Sequence, residues 1–265
     1  MKNKTLKNIL IGLTLLFLYL PIIVLVVYSF NTSKMNIVFE GFTLDWYKNL
    51  VNNRTLIEAF TNTLIIAVTS TVISTILGTL GAIGLYRYSF KGKQFINLLL
   101  YIPIVIPEIV LGISLLSVYT LTKLELGIPT LILSHIAFSI PFVIVSVRST
   151  LSKTLDTYEE AAKDLGANSF NTFFKVTLPQ IMPGVVSGAT LAFTLSLDDV
   201  VISYFTAGPG SNTLPLQIYS MIKTGISPDV NALTTLMLLF TMTILITSTI
   251  IQSRKIVGGK KWKKE

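Results

Sequence analysis

Residues 57–87 read IEAFTNTLIIAVTSTVISTILGTLGAIGLYR, with no charged side chain between Glu58 and Arg87. A hydrocarbon core of about 30 Å is crossed by about 20 apolar residues in a helix, so this run is long enough to span a bilayer. Lipid offers backbone amides no hydrogen-bond partner, which leaves helices or closed barrels as the only spanning structures. The apolarity is continuous rather than alternating, and that argues for a helix over a barrel strand. Comparable runs lie at about 7–30, 96–121, 128–149, 181–207 and 231–253. The expectation is an all-α polytopic membrane protein, with six transmembrane helices in a single domain over 1–265.

Composition agrees. Hydrophobic residues make up 51% and charged residues 13%, with a mean hydropathy of +0.70. A soluble domain carries about a quarter charged residues. Cysteine is absent, which excludes disulfide scaffolds, thiolate metal sites and cysteine nucleophiles. His135 is the single histidine, in an apolar stretch, and reads as structural; a metal site would need a cluster of ligands, and none is expected.

The net charge of +8 does not indicate nucleic acid, because the basic residues sit at the ends of apolar runs and not in a stripe with aromatics. The run from Ile9 to Phe30 is longer than a signal-peptide core and lacks a small-x-small cleavage site, so it reads as an uncleaved first span. If the N-terminus is cytoplasmic, one side holds Lys2, Lys4, Lys7, Arg87, Lys91, Lys93, Arg148, Lys153, Lys163, Lys175, and the tail Arg254, Lys255, Lys260, Lys261, Lys263 and Lys264. The other side holds only Lys34, Lys48, Arg54, Lys123 and Lys223. The positive-inside rule therefore predicts both termini in the cytoplasm, with the basic tail anchored against anionic membrane lipid. Outside, residues 31–56 carry Trp46 and Tyr47, which suit an interfacial helix.

The long cytoplasmic connection, 150–180, contains DTYEEAAKDLGANSFNTFFKVTLP from Asp156 to Pro179. Asp156 and Thr157 are candidate N-caps, with Glu159 and Glu160 in the first turn. Tyr158, Ala161, Ala162 and Leu165 share one helical face. Gly166 ends the helix in the left-handed conformation that glycine adopts cheaply. Asn168 or Ser169 caps a second helix bearing Phe170, Phe173, Phe174 and Val176, and Pro179 closes it. The physics predicts a helix–Gly–helix elbow with an apolar face. A DNA-reading helix-turn-helix is disfavoured by the flanking spans and the acidic first helix. A passive interfacial helix and a docking element for a soluble partner both stay open.

Glu160-Ala161-Ala162, then Gly166, then Val176-Thr177-Leu178-Pro179, resembles the EAA loop of binding-protein-dependent ABC importer permeases of type I, with Val176 where isoleucine is usual. The resemblance implies that the loop is a coupling helix seated on a cytoplasmic ATPase, with Glu160, Ala161, Ala162 and Gly166 as the docking residues. The stretches Leu195–Val201, Leu214–Met221, Ile226–Ala232 and the region around Trp46 are similar to the spermidine/putrescine (PotC-type) branch of that family.

Carboxylates within spans are costly and commonly mark a substrate pathway. The third helix runs outward from Lys93, which places Glu108 about 15 Å deep from Leu98, near mid-membrane, between Pro107 and Gly112 with Pro103 a turn earlier, where a helix is apt to break. Asp198 falls about 25 Å along the fifth span, in its outer third. Adjacent residues point about 100° apart, so Asp198 and Asp199 cannot face one lumen equally, and Asp199 has an alternative reading as a hydrogen-bonded structural acid. No lysine or arginine within the spans neutralises these acids, so a cationic substrate suits them better than sulfate or molybdate. Trp46 and Tyr219 are candidates for cation–π contact with an ammonium, or simply for an interfacial aromatic belt.

The resemblance implies one permease subunit of a polyamine (spermidine/putrescine) importer in a bacterial plasma (inner) membrane, working by ATP-driven alternating access. The chain contains no GxxxxGK[ST] loop, so it is expected to be no enzyme and to need no cofactor, with ATP hydrolysis in a partner. The implied partners are a second related permease, a cytoplasmic ATPase dimer and an extracytoplasmic substrate-binding protein. Alternatives are a permease of the same family for ferric iron, a channel, and a membrane-embedded protease built on His135 with Ser134 or Ser139.

Overall fold

A computed structural model describes residues 2–33, 38–224 and 228–260. Its helices are α1 (Lys2–Tyr28), α2 (Asp45–Asn52), α3 (Arg54–Arg87), α4 (Lys93–Val105), α5 (Glu108–Leu121), α6 (Ile128–Arg148), α7 (Lys153–Asp164), α8 (Ser169–Thr172), α9 (Leu178–Asp198), α10 (Val201–Thr206), α11 (Leu214–Thr224) and α12 (Pro228–Lys260). No strand occurs among the described residues, only a two-residue bridge between Asn31 and Phe42. Five helical stretches are long and apolar enough to cross a membrane, and six if the bent pair α4–α5 counts as one. The all-α polytopic expectation holds. Lys34, Ile226, Ser227, Lys261, Lys263 and Lys264 lie outside the described residues.

Two expected straight spans are broken. The third divides into α4 and α5, which meet at 111°. Pro107 supplies no N–H and drives Ile106 before it into an extended conformation, with ψ at 137°, so the helix cannot run through. Glu108 therefore opens a new helix, and the depth computed along a straight one does not apply. The fifth span begins earlier than expected, at Leu178, and stops at Asp198; Asp199 is extended, with ψ at 126°, and α10 follows.

The chain divides into two compact units. One comprises Met1–Glu58 and Gln217–Thr243. Its α1 is exposed along its apolar length, as expected of a helix facing lipid or another subunit. Beyond α1, buried Asn31 organises the chain: its side chain donates to the Val38 carbonyl at 2.8 Å and accepts from Glu40 N at 2.9 Å. The ring of Phe30 stacks on Phe42 at 5.2 Å and lies 5.3 Å from Tyr47 of α2, the short helix expected around Trp46.

The other unit comprises Ala59–Leu216 and Ile244–Glu265. Its core joins Ala82, Ile83 and Leu85 of α3, Val143, Ile144 and Val147 of α6, Leu155 of α7, and Ile181 and Ala192 of α9. Helices approach closely through small residues, as is usual where lipid supplies no hydrophobic drive for association. At Gly184 a Cβ would fall 2.8 Å from the Ser146 carbonyl oxygen, so only glycine permits α9 to lie this near α6. Polar ties cross the interior as well: Thr130 of α6 donates to the Thr206 carbonyl at 2.9 Å, and Thr190 of α9 meets Ser248 of α12 at 2.7 Å.

Candidate functional site

Two groups of residues are the candidates, the elbow between α6 and α9 and the carboxylates near the end of α9. In the elbow, α7 begins at Lys153, about a turn before the caps expected at Asp156 or Thr157. The reason is that Leu155 is drawn into the core, which fixes the preceding turn as helix. Asp156 does not cap; its carboxylate accepts a 2.8 Å hydrogen bond from the Tyr86 hydroxyl. Gly166 sits at φ +86°, as expected. Gly166 N bonds the Lys163 carbonyl at 2.8 Å and Ala167 N bonds the Ala162 carbonyl at 3.0 Å, the paired bonds of a Schellman stop. Of the two candidate caps for α8, Asn168 does the work, accepting from Asn171 N at 2.8 Å. A wide π-type turn at Phe173–Thr177 then leads into α9.

The two adjacent glutamates of the elbow have opposite environments. Glu159 is 7% exposed and is paired with the Arg87 guanidinium and the Thr177 hydroxyl. Glu160 faces out, and so do Tyr158, Ala161, Leu165 (89% exposed), Phe170 (70% exposed) and Phe174. Ala162, Phe173 and Val176 are half-buried, so the outer surface is narrower than the expected apolar face. Phe170 and Phe174 touch at 4.6 Å between ring centres. The result is an acidic side chain set in a small apolar and aromatic patch. Arg87 and Tyr86 were not among the expected site residues.

At the end of α9, Asp198 is exposed and Asp199 is buried. The Asp199 carboxylate caps α10, accepting from Ile202 N at 3.1 Å and from both Ser203 N and the Ser203 hydroxyl at 2.7 Å. His135 of α6 lies against the same group, with Nε2 3.5 Å from Asp199 Oδ2, and its Nδ1 is 2.6 Å from the Ser196 hydroxyl. Ser196 in turn meets Ser70 of α3 at 3.2 Å. Both carboxylate oxygens of Asp199 are thus engaged inside the protein. Ser196, His135 and Asp199 are residue types of a hydrolytic triad, yet the His135 ring is 1% exposed and Ser196 is buried between it and Ser70. A nucleophile must reach its substrate, and this one is buried. Of the two serines near His135 in sequence, Ser134 is bonded to Tyr119 at 2.9 Å and Ser139 is fully buried.

Glu108, in the first turn of α5, is exposed. A carboxylate in the first turn is favoured there by the free backbone N–H groups. The break at Pro107 makes Glu108 the first residue of α5, so its position follows from α5 and not from a straight continuation of α4. α5, α9 and α10 contain no lysine or arginine. Trp46 and Tyr219 belong to the other unit. The Trp46 indole donates to the Asn31 carbonyl at 2.7 Å, and the Lys223 ammonium lies 4.5 Å from the centre of the Tyr219 ring.

Residues 74–256 match the family described as the binding-protein-dependent transport system inner membrane component. The chain is 46% identical to the spermidine/putrescine transport system permease protein PotC of Escherichia coli (strain K12), over 91% of this chain and 92% of that one. It is 42% identical to PotC of Haemophilus influenzae, over 90% and 93% of the two chains. It is 40% identical to the putrescine transport system permease protein PotI of Escherichia coli (strain K12), over 87% and 84%. Among solved structures, a bacterial ABC transporter involved in import of the acidic polysaccharide alginate aligns with a TM-score of 0.70 at 16% identity, covering 94% of this chain and 95% of that one. The MetNI methionine ABC transporter in an inward-facing conformation aligns at 0.61 and 19% identity, covering 80% and 99%. At those identities the likeness concerns the fold.

Proposed function

The chain belongs to the family of binding-protein-dependent transport system inner membrane components, and on that premise we propose that it is one permease subunit of an ATP-driven polyamine importer. The observation that carries the substrate is the similarity, along nearly the whole chain, to permeases named for spermidine and putrescine transport. The exposed carboxylates of Asp198 and Glu108 support it. An ammonium group offers three N–H donors and a positive charge, which suits carboxylate acceptors in a setting without lysine or arginine. Each carboxylate holds an ammonium weakly enough for release, since a passage that grips its cargo cannot conduct it. Asp199 takes no part in this contact, because its oxygens are bonded to Ile202 and Ser203.

Energy enters through the elbow. Both termini and the elbow face the cytoplasm, where the outer patch of Glu160, Ala161, Ala162 and Gly166, with Leu165 and Phe170 beside it, seats on one subunit of an ATPase dimer. Glu160 meets a basic residue there, and small Ala161 allows close approach. A second related permease completes the membrane part, and an external binding protein delivers the polyamine. Closure of the ATPase pair draws the two elbows together, and the helices open outward.

Proteoliposomes holding the assembled complex test this reading. Labelled spermidine or putrescine should accumulate only with ATP on the ATPase side and binding protein on the other. Accumulation of a ferric complex instead, with polyamine inert, would contradict the assignment.

A further inference from the structure

Tyr86 and Arg87, the last two residues of α3, reach two acidic residues one turn apart on α7. Tyr86 donates to Asp156, and Arg87 pairs with Glu159 and lies 3.4 Å from the Thr177 hydroxyl. Leu155, next to Asp156, is packed in the same core as Ala82, Ile83 and Leu85 of α3. The elbow is thus fastened to α3 by an apolar contact and two polar ones. Thr177, which also donates to Glu159, immediately precedes α9. One buried carboxylate therefore joins the end of α3, the coupling helix α7 and the start of α9.

We propose that Arg87 and Glu159, with Tyr86 and Thr177, form a clamp that stays closed through the transport cycle and carries displacement of the elbow into α3 and α9. This rests on the importer reading above and adds to it the internal link between ATPase and spans. Opening the pair would leave a buried carboxylate without its cation, which is far more costly than parting an exposed pair. The free side of the elbow, with Glu160 and Leu165, can therefore be pushed without the inner side letting go. Arg87 and Glu159 are positioning residues in this proposal, acting through α7 and Thr177.

The test uses the complete complex in proteoliposomes and reads uptake per ATP hydrolysed, a ratio that a loss of folded protein leaves unchanged. Glu159→Gln and Arg87→Met should keep the ATPase bound and basal hydrolysis intact, while uptake per ATP falls by about tenfold, within the range for groups sharing one buried network. A second variant does not rely on the charges. The chain has no cysteine, so Arg87→Cys with Glu159→Cys creates a unique pair in it. Cross-linking that pair should restore uptake per ATP towards the wild-type ratio, because a clamp that never opens loses nothing by being made covalent. Wild-type ratios in the single variants, or loss of uptake on cross-linking, would overturn the proposal. Failure of the wild-type chain to assemble with any ATPase would instead overturn the importer reading.

Discussion

One carboxylate oxygen of Asp199 receives both the backbone N–H and the hydroxyl of Ser203, each at 2.7 Å. That bond fixes the break between α9 and α10 and brings in His135, and so decides which of the two adjacent aspartates is held inside. Asp199→Asn retains one acceptor oxygen and places an amide where donors already point. It should lower the stability of the folded chain by about 1–3 kcal/mol, the cost of unsatisfied buried groups. Thermal unfolding in detergent checks this. An unchanged midpoint would mean that the network is dispensable.

Gly166 stands at φ +86° with open space where a Cβ would go, so substitution there is a conformational matter and not a steric one. Gly166→Val should cost about 1–2 kcal/mol and turn α8 away from its seat. Gly166→Asn, which tolerates the left-handed region, should do less harm. Insertion should be normal in both, with substrate-stimulated ATP hydrolysis lost in the valine variant and largely kept in the asparagine one.

The adjacent glutamates should separate cleanly. Glu160→Lys changes an exposed side chain, so the chain should fold while binding to the ATPase weakens. Glu159→Lys places a cation beside Arg87 in a buried position and should destabilise the elbow by about 3 kcal/mol, the low end for a broken buried pair because Arg87 is partly exposed. Limited proteolysis of the elbow distinguishes them: faster cleavage in Glu159→Lys only. Equal cleavage of both would place Glu159 at the surface.

Local signals in the sequence were enough for the elbow's stop at Gly166 and narrowed the next cap to Asn168 or Ser169, since both features depend on a few neighbouring residues. The break at Pro107 was legible too, but not its angle, which is set by what α5 packs against. Glu159 was half legible. Leu155 and Glu159 are four apart, so a buried Leu155 places Glu159 on the inner face; nothing nearby names Arg87, 72 positions away, as its partner. The same holds for His135, whose partners Ser196, in the last turn of α9, and Asp199, just after it, lie 61 or more positions later. Residue type identified these acids as unusual, and only the packing of α6 on α9 and α10 divided them into Asp198 outside and Asp199 inside.

Orientation has its own test. The distribution of lysine and arginine predicts that a reporter fused after Lys264 is active in the cytoplasm, and that a cysteine placed there resists a membrane-impermeant maleimide in whole cells. The chain has no cysteine of its own, so labelling is unambiguous. Labelling from outside would invert the topology and with it the assignment of the elbow to the ATPase side.

The most direct test of a cationic substrate is polyamine uptake by the Asp198→Asn, Glu108→Gln double variant at matched expression. Both changes keep shape and remove charge from exposed positions, so the complex should assemble and the binding protein should hold polyamine as before. Loss of a charge-assisted contact is worth about tenfold or more for each residue. Uptake should therefore fall by about a hundredfold in the double variant, with Asp198→Asn alone the more severe single change. Uptake at the wild-type rate by the double variant would contradict the account.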